Sequence, residues 1–199
     1  MTRTSTLPAP RQKRSRETLR RILDAFELAL ESKTFEEVTV VELCEEAGCS
    51  VGTFYGRVES KDGLLDHLRD RVYEEFGAVM TEVFDPARAG GMTVEAMLRE
   101  QATALVEIHH KRKGVIRALI VQARRRRAFG EQTQTFNAGM LDRIVSTWSV
   151  HAQAIAHPEP ALACQHASLA TAGYLREAIV FGELWPQASD VGPAEHVDA

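Results

Sequence analysis

Several things that secreted, membrane and metal-dependent proteins rely on are scarce in this chain. Three cysteines in 199 residues, Cys44, Cys49 and Cys164, are too few and too odd in number for a disulfide framework, which points to a reducing, cytoplasmic setting. No apolar run approaches the roughly 20 residues that a membrane helix needs. The basic N-terminus, MTRTSTLPAPRQKRSR, lacks the apolar stretch of a signal peptide. The seven histidines fall into no His-x-x-x-His or Cys/His pairing with metal-ligand spacing, so neither a metal nor a cofactor is expected. A phosphate loop, a G-x-S-x-G elbow and a dinucleotide fingerprint are all missing, so there are no catalytic candidates and the chain does not read as an enzyme. No internal repeat is apparent.

What is present is the composition of a soluble globular protein, 44% hydrophobic and 26% charged, long enough for one domain or two small ones. The net charge of -4 hides a segregated pattern. Residues 1–21 carry seven Lys/Arg against one Glu, residues 22–46 one Lys against eight Asp/Glu, and residues 109–127 eight Lys/Arg and no acid. Local basic clusters govern contact with a polyanion more than the total does, because phosphate contacts are local and release counterions.

Apolar periodicity predicts helices throughout, hence an all-α fold. Residues 1–14, with Pro8 and Pro10, read as a flexible basic arm or a solvated tail. From Ser15 a first helix places Leu19, Ile22, Leu23, Phe26 and Leu30 on one face. Thr39-x-x-Glu42 is a capping box, followed by Val40, Leu43, Cys44 and Ala47 at helical spacing. Gly48 stands where the helix must stop and the chain turn. Ser50 caps a second short helix in which Phe54 is the inward anchor and Val51, Gly52, Thr53 and Tyr55 face out. A capped helix, a tight glycine turn and a short helix with small outward residues make a helix-turn-helix.

In this stretch the chain resembles the TetR (tetracycline repressor) family of transcriptional regulators. Thr39, Ala47, Gly48, Ser50, Gly52, Thr53, Phe54, Tyr55, Ser60, Lys61, Leu64 and Leu65 stand in the family's order and spacing, within a segment from about Arg16 to Val72. Departures are Val58 where an aromatic is usual, Gly56 where a larger residue is usual, and Thr34 where a helix-ending glycine is usual. The resemblance implies a three-helix DNA-binding domain followed by a helical ligand-binding and dimerisation domain. It also implies a dimeric regulator, most often a repressor, on a pseudo-palindromic operator. Tyr55 and Lys61 match positions that commonly contact phosphates, and Thr39 could act alike. Val51 and Thr53 could meet thymine methyls, Gly52 allows close backbone approach, and Arg57 is a phosphate clamp or a surface ion-pair partner. The DNA-binding candidates are thus Thr39, Ser50, Val51, Gly52, Thr53, Tyr55, Arg57 and Lys61.

Boundaries follow from the pattern: an arm over 1–14, the helix-turn-helix domain over 15–60, a second domain over 61–185 and a disordered tail over 186–199. One long stripe, from Leu64 to Val83, leads out of the first domain. Beyond the PARAGGM break, helices are expected from Thr93 to a basic end at HHKRKG, from Val115 to Arg124–Arg127, from about Glu131, and from Ala161 to Glu183. Small residues along the last helix suit close helix approach; the resemblance implies that the last two long helices pair with their copies as a four-helix dimer interface, the other reading being packing within the chain. Arg124–Arg127 reads as a solvated helix end, as a second nucleic-acid contact or as cationic cover for an acidic ligand. The resemblance also implies a small-molecule effector, whose identity the sequence does not give, with Phe76, Met80, Met97, Gln101, His109, Phe136, Met140, Trp148 and Tyr174 as candidate pocket walls. A different reading is a ligand- or protein-binding helical module whose DNA-binding domain no longer functions.

Overall fold

The computed structural model describes residues 9–182 and Val197, with residues 9–12 as backbone only. Among these residues there are helices and turns and no strand. The chain divides into two compact units, one up to Asp70 and one from Arg71.

The first unit begins with α1 (Ala9–Ser32), followed by α2 (Val40–Glu46), α3 (Val51–Tyr55) and the start of α4 (Lys61–Val83). Helix α1 starts six residues ahead of the expected Ser15, so residues 9–14 are helical where an arm was anticipated; residues 1–8 lie outside the described residues. Pro10 is the second residue of α1, a place where its missing N–H costs nothing. Ile22, Phe26 and Leu30 are fully buried along one stripe of α1, with Phe54 of α3 and Leu64, Leu65 and Leu68 of α4. Those three leucines explain why the unit extends to Asp70 rather than stopping at residue 60: the first turns of α4 are core of this unit.

The second unit holds the remainder of α4, the short α5 (Pro86–Ala89), α6 (Val94–Arg125), α7 (Arg127–Trp148) and α8 (Pro160–Leu175). Where two helices were expected between Thr93 and Arg127, there is a single helix of 32 residues. The basic run at its middle is no helix end. Lys111 and Arg112 reach Glu75 of α4 at 2.5 and 2.6 Å, and Gly114 is buried inside the helix. Burial pushes the Glu75 carboxyl up, but the two cations outweigh it and the net shift is downward.

The break falls instead at Arg126, whose φ of -115° and ψ of 109° separate α6 from α7. This places the start of α7 at Arg127 rather than near Glu131. The joint is tight. A Cβ on Gly130 would stand 2.6 Å from the carbonyl oxygen of Ala123, so glycine is what lets the two helices fold back this closely. The end of the chain differs from expectation as well: α8 stops at Leu175 and a π-type turn covers Arg176–Val180. Ala178 and Ile179 of that turn pack with Val106 and Leu175, and Val197 lies against this cluster. The rest of the expected tail, from residue 186, is outside the described residues.

Candidate nucleic-acid interface and ligand cavity

The turn between α2 and α3 is built from hydrogen bonds that the sequence predicts. Thr39 Oγ1 accepts from the Glu42 amide at 3.2 Å, and the Glu42 carboxylate accepts from the Thr39 amide at 3.0 Å, closing the capping box. Lys33 adds an ion pair to Glu42 at 2.6 Å. Together, Lys33 first and then the two Thr39 donors hold the Glu42 carboxyl down to about 2.

At the other end of α2, Gly48 has a φ of 60°, in the left-handed region. Its amide donates to Glu45 O at 3.1 Å, and the Cys49 amide donates to Cys44 O at 2.9 Å. That pair of bonds is a Schellman motif, and the side chains it brings together are the thiols of Cys44 and Cys49. Burial first, then Cys49, pushes the Cys44 thiol up to about 11, so it behaves as a packing group. Ser50 Oγ then accepts from the Thr53 amide at 3.1 Å and starts α3.

The sequence-predicted interface residues divide into two sets. Val51, Gly52, Tyr55 and Arg57 are exposed; Val51 is 41% and Tyr55 54% exposed. Arg57 uses one N–H on the carbonyl of Gly56 and makes no ion pair among the described residues. Thr39 and Ser50 are exposed but spend their hydroxyls on caps. Thr53 is half-buried rather than outward, with its hydroxyl against Ser50 Oγ at 2.9 Å.

Lys61 departs most from expectation. Its ammonium donates to the carbonyls of Phe35 and Val38 at 2.8 Å each and lies 3.4 Å from Glu36 O, and it sits 4.5 Å from the centre of the Phe35 ring. Three N–H groups meet three carbonyls, so in this arrangement none is left for a phosphate. Sequence reasoning missed this because the bond spans 23 to 26 residues. Thr34 hints at the reason: where a glycine usually ends the first helix, the loop is finished by Thr34 against Glu37 and by the Lys61 clamp.

The second unit contains a cavity of about 870 Å³, between α4, α6, α7 and α8. That lies within the range of small-molecule sites. Of the nine proposed walls, Phe76, Met97, Gln101, His109, Phe136, Met140 and Trp148 line it. Met80 and Tyr174 do not. Met80 is buried elsewhere, and Tyr174 on α8 is 41% exposed. Helix α6 supplies an unbroken stripe at four-residue intervals, Met97, Gln101, Leu105 and His109, the geometry of one helix face.

Most polar groups facing this space are already engaged. Gln101 accepts from the Trp148 indole at 2.7 Å and donates to Val83 O at 3.3 Å. Tyr73 donates to Thr133 Oγ1 at 2.8 Å, and Thr133 donates to Phe129 O. Tyr73 also stacks on Phe136, with ring centres 3.9 Å apart. No sequence signal links residues 73 and 133, and this pair was missed. His109 Nδ1 is 2.7 Å from Leu105 O and therefore carries the proton there. Burial is the main reason the imidazole is shifted down from its ordinary value, and the neutral ring stands edge-on to Phe76.

The arrangement matches solved structures over nearly its whole length. A transcriptional regulator of the TetR/AcrR family from Aquifex aeolicus aligns with a TM-score of 0.65 at 17% identity, covering 91% of this chain and 94% of that one. A protein from Mesorhizobium loti assigned to the TetR family gives 0.66 at 21% identity, covering 93% and 92%. A transcriptional regulator from Rhodococcus gives 0.61 at 22%, covering 92% and 90%. The chain has the fold of TetR-family transcriptional regulators. At the level of sequence alone, no protein-family model and no curated protein matches it. In this TetR-like fold, the helix-turn-helix belongs to the first unit and the cavity wholly to the second. Arg124, Arg125 and Arg127 are exposed, Arg127 pairs with Glu131, and Arg126 lies over the Phe129 ring. None of these four lines the cavity, so they are not cover for a ligand there. Among the described residues, no helix is long and apolar enough to cross a membrane, and no cluster of His, Cys, Asp or Glu has the makings of a metal site.

Proposed function

We propose that the chain is a TetR-like transcriptional regulator that binds double-stranded DNA as a homodimer, acts as a repressor and is released by a small-molecule effector. The observation that carries this reading is the capped helix-turn-helix with Val51, Gly52, Tyr55 and Arg57 outward, in a chain whose fold follows that of known regulators. Val51 and Gly52 open α3, the end of a recognition helix that reaches base edges. Tyr55 and Arg57 are then the phosphate contacts, and Lys61 supports the loop behind them.

Dimerisation is supported by the face of α8 that does not line the cavity: Leu162 is 37% exposed, beside exposed Ala161 and Ala170, a surface that a second copy would bury, whereas Ala167, Leu169 and Ala172 belong to the cavity lining. Effector control is supported by α4, which lines the cavity with Val72, Tyr73 and Phe76 and whose first turns are core of the DNA-binding unit. A ligand can release DNA only by the difference in its affinity for the DNA-competent and incompetent states.

The test is selection of bound sites from random DNA, followed by salt-titrated binding. The expected product is a pseudo-palindromic site with affinity falling steeply as salt rises. The inward ammonium of Lys61 favours a second reading, a ligand-binding module whose DNA-binding domain no longer functions. No enriched site, on random DNA or on the DNA upstream of the chain's own coding sequence, would decide for it.

A further inference from the structure

We infer that the cavity takes a neutral, largely apolar molecule that donates one hydrogen bond to Nε2 of His109, an alcohol or a phenol. This rests on reading the cavity as the effector site and adds the chemistry of what fills it.

Charge narrows the choice. Among the described residues, no Asp or Glu lines the cavity, so a cationic ligand would have no counter-charge. Its one permanent cation is Arg176, which already has Glu177 at 3.5 Å. Burying an ion without a partner is far more costly than burying a neutral group. A carboxylate would have a single cation to meet, Arg176, whose side chain is 41% exposed and shared with Glu177, while the walls of Phe76, Phe84, Met97, Leu119, Phe136 and Ile144 offer it no partner.

Hydrogen bonding narrows it further. Thr133 and Ser168 line the cavity and spend their hydroxyl protons on the chain itself, on Phe129 O and Cys164 O, and Gln101 places one of its two amide N–H groups on Val83 O. Trp148 gives its single N–H to Gln101, and His151 is bonded to the carbonyl of Ala89. Each of the two histidines keeps one ring nitrogen without a hydrogen-bond partner among the described residues: Nδ1 of His151, and Nε2 of His109, whose Nδ1–H goes to Leu105 O. Of the two, His109 stands on the α6 stripe with Met97 and Leu105, against the Phe76 ring. In a neutral imidazole with Nδ1 protonated, Nε2 is an acceptor only. The lining therefore offers a ring-nitrogen acceptor among apolar walls, and the complementary ligand brings an O–H. Asn137, which also lines the cavity, is exposed.

The experiment uses full-length protein carrying Trp185→Phe, which leaves Trp148 in the cavity wall as the only indole. Trp148 emission is titrated at pH 7.5, without DNA, with 1-decanol, decyl methyl ether, decanoate and decylamine, each below its micelle concentration. Decanol should bind at least about tenfold more tightly than either ion, and about 3–10-fold more tightly than the ether, which cannot donate. His109→Asn keeps a donor near Leu105 O but removes Nε2, and should bring decanol down to the ether. Tighter binding of decanoate than decanol, or no preference for decanol over the ether in the wild-type pocket, overturns the inference without any variant. Failure of the regulator reading is separate. Decanol selectivity with no effect on binding to a selected DNA site would support the ligand class and remove effector-controlled release.

Discussion

Lys61 carries the sharpest test, because its two roles predict opposite experiments. In the structure its ammonium joins α4 to the loop between α1 and α2 through two bonds of 2.8 Å and a longer third. A hydrogen bond to a charged group contributes about 1.5–3 kcal/mol when it is well shielded. Lys61 is half-buried, and water can replace part of what is lost, so Lys61→Met should cost about 2 kcal/mol. Methionine preserves the aliphatic stem and isolates the ammonium. A loss of 2 kcal/mol lowers the melting temperature by about 4–8 °C if all 199 residues melt together, or about 8–16 °C if the first unit melts by itself. Circular dichroism gives the midpoint, and amide exchange over residues 35–38 shows whether the loss is local. The second arm is electrostatic. Each phosphate contact adds about 0.9 to the slope of log affinity against log salt. With its N–H groups on carbonyls, Lys61→Met should leave that slope unchanged, whereas Arg57→Ala should reduce it by about 0.9. A variant that melts within about 0.5 kcal/mol of wild type, yet loses that increment of slope, would refute the clamp and return Lys61 to the DNA backbone.

Other expectations concern the two glycines, the cavity histidine and α8. Gly48→Ala should destabilise the first unit by about 1–2 kcal/mol, the cost of a Cβ in the left-handed region, since the space there is open to 3.5 Å; Gly48→Asn should cost less, and equal costs in urea titration would show that the turn relaxes. Gly130→Ala pushes a methyl into a backbone carbonyl and should cost about 1–3 kcal/mol or more, read from the same titration. The folded-state value of His109 is lowered, so the unfolded chain takes up a proton first as pH falls. Stability should therefore decline on acidification from the unfolded value near 6.5 down to the lowered one, and His109→Asn should flatten that slope in pH-dependent melting. Leu162→Glu, on α8 outside the cavity lining, should convert a dimer to monomer in sedimentation equilibrium; a monomeric wild type would refute the α8 interface.

Local chemistry accounts for what the sequence made legible. The capping box at Thr39 and Glu42, the αL turn at Gly48 and the Ser50 cap are contacts within five residues, and each was readable from residue type and spacing. The cavity stripe on α6 was readable too, because helical periodicity puts Met97, Gln101 and His109 on one face. What escaped depends on distant partners. The basic run at 111–113 looks like a helix end until Glu75, 36 residues before Lys111, is seen to pair with Lys111 and Arg112. Lys61 looks like a surface cation until the loop carbonyls arrive. Met80 and Tyr174 share sequence character with the cavity walls, and only packing decides that one is core and the other faces outward.

The bracing of the helix-turn-helix has a mechanical consequence. Within about thirty residues it is fastened by a capping box, a Schellman turn, a serine cap and a lysine crossbar. A motif so fastened has few soft degrees of freedom, and bending it would break several bonds at once. Under the regulator reading proposed above, a signal from the second unit would then act by changing where the stiff motif is held rather than by reshaping its exposed face, and gain and loss of recognition should follow position and not conformation.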